Sequence, residues 1–161
     1  MLPRFFATRD DLLPLIIRCT VGLVILPHGL QKLLGWFGGH GPAATIEAFQ
    51  QWFGLPMAVT ALVIAAESFG ALSLILGFAT RLCAASIGLV MIGAITMVTG
   101  RSGFFMNWYG DQGRGEGFEY HLLVLGMVAV LILDGGGRYS IDRWVSGRLE
   151  NEPNERLPAA K

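Results

Sequence analysis

The sequence predicts an all-α integral membrane protein: a bundle of four transmembrane helices with a short interfacial helix in the first outer loop. Three observations carry that reading. The 161 residues are 53% hydrophobic and 15% charged, whereas soluble globular domains carry about 25% charged residues. Four stretches are apolar enough to cross a hydrocarbon core about 30 Å thick. Lys and Arg fall unequally on the two sides of those stretches, as membrane topology requires.

The first span, 12–34, contains Arg18, His28 and Lys32, and Pro27 is tolerated because neighbouring helices re-satisfy the freed backbone groups. Arg4 and Arg9 resemble the basic start of a signal peptide, but Arg18 interrupts the apolar stretch and no small-x-small cleavage site closes it, so the stretch reads as a retained span. The second span, 57–78, carries Glu67 near its centre, and the third, 82–98, has no charge. The fourth, 118–133, is short, begins near Glu119 and His121, and is stopped by Asp134 and three glycines. Residues 1–145 form one membrane domain on this reading, and 146–161 a polar, loosely ordered tail. An even number of spans puts Arg4, Arg9, Arg81, Arg138, Arg143, Arg148, Arg156 and Lys161 on one side, against Lys32, Arg101 and Arg114 on the other. The positive-inside rule then places both termini in the cytoplasm.

Ile46, Phe49 and Phe53 fall at helical spacing in the first outer loop, predicting an amphipathic helix with Trp36 and Trp52 as headgroup-level anchors. The second outer loop, 99–117, is glycine-rich but lacks the GKS/T ending and the strand of a phosphate loop. The 12 Lys and Arg residues equal the Asp and Glu in number and are scattered, so no nucleic-acid footprint exists. Cys19 and Cys83 sit singly in apolar runs and read as small packing hydrophobes, and no metal-ligand spacing is present.

Ionisable side chains at membrane depth are costly and face the protein interior, so they are the candidate site. Arg18, Gly22, Ile25, His28, Gly29 and Lys32 fall within about 120° of arc on the first helix, and the two glycines invite close packing. Glu67 lies roughly 16 Å and Arg18 roughly 9 Å from the inner end. A buried Arg18–Glu67 pair is the leading expectation; the plainer alternative has Arg18 reaching the inner headgroups and Glu67 protonated. On the fourth helix Glu119 shares a face with Leu123, Gly126 and Val130, and His121 points about 160° away, which favours Glu119 as the inward residue. His28, Lys32, Asn107, Glu119 and His121 then gather at the outer end. There they suit a polar ligand head such as a quinone carbonyl, or a proton relay with Glu67. Haem ligation by His28 and His121 is disfavoured by the direction of His121. The bland reading of each histidine is an interfacial side chain bonded to water.

Arg18-x3-Gly22 followed by Pro27-His28-Gly-Leu-Gln-Lys32-Leu-Leu-Gly-Trp-Phe, then Glu67, Glu119-Tyr120 and the ending Asp134-Gly-Gly-Gly-Arg138-Tyr-Ser140-Ile-Asp142 resemble the DoxX family over roughly residues 12–145. The resemblance implies a four-helix bacterial inner-membrane protein, some of whose relatives belong to membrane oxidoreductase systems handling thiosulfate, quinones, or thiol and quinone stress. Arg18, His28, Lys32, Glu67 and Glu119 match the family pattern; none is assigned a catalytic role. Three functions follow: a redox subunit that binds a quinone-like molecule and relies on a partner oxidoreductase chain for electrons, a non-catalytic subunit docking a partner, or a small proton-coupled transporter in which Glu67 titrates. In the last, a homo-oligomer would complete the pathway. Membrane lipid is the one partner common to all three.

Overall fold

The computed structural model describes Phe6, Thr8 and residues 10–150, and the regular elements among them are all helical, with no strand. Helix α1 covers Leu13–Leu34, with Pro14 in the first turn, where a missing N–H costs nothing, and Gly35 closing it in the left-handed conformation at φ 71°. Helix α2 covers Gly41–Phe53, where the amphipathic spacing predicts it. Helix α3 covers Met57–Leu76 and changes pitch on the way, with a π turn at Ala66–Gly70 between two α-helical parts. Helix α4 covers Thr80–Met97 and leads to a 3-10 turn at Thr99–Ser102; α5 covers Glu119–Asp134 and α6 Ile141–Glu150.

Three of these are long and apolar enough to cross a membrane: α1 with 22 residues, α3 with 20 and α4 with 18. The shorter α5 packs on α4 and on α1. Large apolar side chains face both ways. Val21, Ile25, Leu74, Ile87, Val128 and Leu131 close the core between α1, α3, α4 and α5, while Leu23, Leu62, Leu89 and Leu133 are each more than 60% exposed. An apolar surface that large is stable only against an apolar solvent, which a bilayer supplies.

Two glycines set how closely α1 and α3 approach. A Cβ on Gly22 would sit 2.6 Å from Ile75 Cγ1 and 2.8 Å from the Ala71 carbonyl, and one on Gly29 would collide with the Glu67 backbone. These contacts fix an antiparallel register in which position 29 lies level with 67 and position 22 with 71–75.

Residues 146–150, predicted to open a loose tail, are instead the second half of α6. Ser140 starts that helix by accepting a hydrogen bond from the Arg143 backbone N–H at 3.1 Å. Asp142 and Ser146, one turn apart, are its buried side. The polar composition concealed a helix whose inward side is itself polar. Residues 151–161 of the expected tail lie outside the described residues.

Gly22→Leu and Gly29→Leu are each expected to lower stability by about 2–3 kcal/mol through overpacking. The measurement is the unfolding midpoint in mixed detergent micelles. Gly126→Leu on α5, where an added Cβ meets nothing within 4 Å, should leave that midpoint unchanged.

Candidate functional site

The charged interior is divided between two ends of the molecule, the inner end at the start of α1 and the outer end at its close. At the inner end Arg18, 1% exposed, gives its guanidinium wholly to backbone carbonyls. Nε donates to Gly136 at 3.0 Å, Nη2 to Tyr139 at 2.8 Å, and Nη1 to Leu74 at 3.1 Å and to Ile75. Leu74 and Ile75 belong to the last turn of α3, where carbonyls lack the N–H four residues on and the dipole favours a cation; the Leu74 carbonyl also accepts the Gly77 N–H at 3.0 Å. The Arg18–Glu67 pair is therefore not formed. The glycine register explains why: Gly29 is the residue level with Glu67, and Arg18 lies three helical turns, roughly 16 Å, further in.

The segment after α5 is held against the same end. Asp142, 2% exposed, accepts the Ala79 and Thr80 backbone N–H groups at 2.7 and 2.8 Å, while its own N–H donates to Gly77 at 3.0 Å. Its carboxylate thus serves the start of α4, where exposed N–H groups and the positive end of the dipole welcome an anion. Ala79 at φ 45° and Tyr139 at φ 58° both adopt left-handed backbone, a conformation non-glycine residues occupy only when surrounding bonds impose it. Nearer the surface, Asp10 receives Arg138 Nε at 2.8 Å and Arg143 Nη1 at 2.6 Å. Arg138 foremost, then Arg143, hold the Asp10 carboxyl below the usual carboxylate range.

In the outer half Lys32 Nζ meets Glu67 Oε2 at 2.5 Å and donates to the His28 carbonyl at 3.3 Å. The Glu67 side chain is 8% exposed and that of Lys32 21%. An ammonium has three N–H donors, and these contacts employ two. Glu67 stands in the π turn, and such turns are frequent at functional sites because they displace a side chain from the regular ladder. Next to it in the π turn the Ser68 hydroxyl is buried without a hydrogen-bond partner, as is the hydroxyl of Tyr120, an electrostatic neighbour of Glu67; Thr60 Oγ1, two turns earlier on α3, and His121 Nδ1 on α5 are likewise buried and unpartnered. Unpaired buried polar atoms are costly enough to call for a ligand or water.

The Lys32–Glu67 pair is also the polar wall of an apolar groove of about 770 Å³ between α3 and α4. The two helices pack at the π turn and the inner end of α3 but hardly touch along Met57–Ala65. Val59, Leu62 and Ala66 line one side, Ser86, Leu89 and Gly93 the other, and Phe49 and Phe53 of α2 close the outer end. Leu62, Leu82 and Leu89 on its rim are more than half exposed, so the groove opens sideways.

The remaining sequence candidates divide differently from expectation. His121 shares the buried stripe of Val124, Val128 and Leu131, within about 80° of arc, and is an electrostatic neighbour of His28, which is itself exposed. Glu119, expected to face inward, is only half-buried and accepts the Trp108 indole N–H at 2.7 Å. Its supposed partners Leu123 and Gly126 are exposed. Apolarity could not distinguish the two faces because lipid and core are equally apolar. Asn107 staples its own loop, donating to the Asp111 and Arg114 carbonyls at 3.1 and 2.9 Å and accepting from Asp111 N–H at 2.9 Å. It is spoken for as loop structure. Among the described residues no three metal-ligating side chains gather. Tyr120 was missed as a site residue; its place beside Glu119 in the motif was the available signal.

The DoxX family model matches residues 13–100, which contain Arg18, His28, Lys32 and Glu67. The chain belongs to the DoxX family. This DoxX protein is 30% identical over 131 residues to the protein named "Putative oxidoreductase CatD" of Bacillus subtilis (strain 168), covering 81% of the chain and 85% of that relative. No solved structure matches it.

Arg18→Leu should cost about 3 kcal/mol by leaving buried carbonyls without donors. Arg18→Lys should recover only part of this, since a point charge cannot span α1, α3 and the segment after α5; chemical unfolding in micelles gives both values. For Asp10 the lowered pKa fixes the sign of its pH dependence. Its contribution is complete above the usual carboxylate pKa of about 4 and is lost as pH falls through the lower folded-state value. The protection of the Arg138 and Gly137 amides, taken relative to their intrinsic exchange rate at each pH, should accordingly fall in acid, and Asp10→Asn should show that lower protection already at neutral pH.

Proposed function

We propose that this DoxX protein is a four-span bundle of the bacterial cytoplasmic membrane, with α5 as the fourth span and both termini in the cytoplasm. It binds a quinone-like molecule in the groove between α3 and α4 and serves a membrane oxidoreductase system. The observation that carries the reading is the junction of an apolar groove with one buried ion pair. A quinone has that polarity: an apolar ring and tail with two carbonyl oxygens. The unused N–H of Lys32 is a donor for one such oxygen, and Glu67 is a carboxylate able to give up or take a proton beside it.

Reducing a quinone to a quinol consumes two electrons and two protons. Lys32, Glu67 and the nearby Tyr120 hydroxyl belong to the proton side of that balance; a partner oxidoreductase subunit supplies the electrons. The name carried by the Bacillus subtilis relative supports the redox assignment.

Decylubiquinone binding to the purified full chain in micelles tests this. Saturable binding is expected, weakened about tenfold or more by Lys32→Ala and by Glu67→Gln, the scale of one lost charge-assisted hydrogen bond. Leu133→Ala, far from the groove, should bind as the parent does. Equal binding by all variants, with unchanged helix content, would exclude the groove as the site.

A further inference from the structure

A second site lies at the inner end, apart from the groove. Arg138, Arg143 and Arg148 surround a shallow surface pocket of about 610 Å³ together with Asp10, Trp144 and Gly147. We propose that this pocket binds the headgroup of an anionic phospholipid.

Three features point to that occupant. The pocket lies just before the start of α1, a helix long enough to cross the membrane, so it stands at headgroup level. Its charge is positive, with three guanidinium groups against the Asp10 carboxylate in the lining and Asp11 as a further carboxylate near Arg138. Asp142 is turned away from the pocket, buried with both oxygens bonded to the start of α4. Finally, α6 has an interfacial character: Ile141, Trp144 and Leu149 are exposed apolar residues on the same short helix as Arg143 and Arg148. Arg148 rests its guanidinium 3.8 Å from the centre of the Trp144 ring, which leaves the edges of that plane free for phosphate oxygens. Apolar side chains reaching into acyl chains beside cations at the phosphate level match an anionic lipid in both parts. A free phosphate would use only the cations.

Asp10 competes for two of the arginines, and this gives the proposal a distinctive sign. The full chain in detergent micelles is mixed with phosphatidylglycerol or phosphatidylcholine of identical acyl chains, and bound lipid is measured by native mass spectrometry. Phosphatidylglycerol should be retained in preference. Arg143→Gln with Arg148→Gln should weaken it roughly thirtyfold, about fivefold for each arginine, with phosphatidylcholine unaffected. Asp10→Asn should instead strengthen phosphatidylglycerol binding by about fivefold. Circular dichroism of each variant checks that the fold is retained, and Trp144→Ala, which leaves every charge in place, should weaken the lipid more mildly. The proposal is overturned by equal retention of the two lipids, by an arginine double variant that is folded and binds phosphatidylglycerol as before, or by displacement of the lipid with millimolar inorganic phosphate.

Discussion

A guanidinium placed in a protein interior must have its donors satisfied, and Arg18 meets that demand by drawing three parts of the chain to one point. It reaches from α1 to the final carbonyls of α3 and to the carbonyls of Gly136 and Tyr139 after α5. Hydrophobic attraction does little to hold helices together in lipid, where the solvent is as apolar as the side chains. Directed polar bonds therefore determine which ends meet. Asp142 complements this by binding the start of α4, so α1, α3 and α4, with the segment following α5, are joined at the inner end by one cation and one anion that, among the described residues, touch no counter-ion of their own.

The firm inner end accounts for the open outer one. Gly22 and Gly29 bring α1 against α3, the π turn places Glu67 beside Lys32, and α3 then departs from α4 over Met57–Ala65. The groove is a product of that divergence. Its polar wall comes from α1 and the π turn; its apolar walls come from helices that would otherwise pack. Two charge systems thus serve separate ends: the inner one closes the structure, and the outer one leaves unmet hydrogen-bonding capacity beside an apolar space.

Helical class and the approximate limits of the long helices were legible because bilayer thickness leaves a strong compositional imprint. So were the glycines at the α1–α3 contact and the amphipathic α2. The partners of Arg18 were not: helix-terminal carbonyls are invisible in a sequence, whereas a carboxylate such as Glu67 is conspicuous. Nor could apolarity orient α5, which led to Glu119 being favoured over His121. The motif around Arg138, Ser140 and Asp142 was recognisable as a pattern. Its physical task as a clasp depends on contacts more than 50 positions away in the chain, between Asp142 and Thr80 or Gly136 and Arg18, and no local periodicity announces those.

The sideways opening of the groove bears on how occupancy is governed. Its rim faces lipid, and α2 stands between its outer end and water, so a hydrophobic molecule would reach Lys32 and Glu67 by diffusing in the plane of the membrane. The relevant concentration is then a mole fraction in the bilayer, already high for a molecule that is scarce in water. Modest intrinsic affinity would suffice to fill such a site, and dilution with inert lipid would empty it even when the total amounts of protein and ligand are held constant.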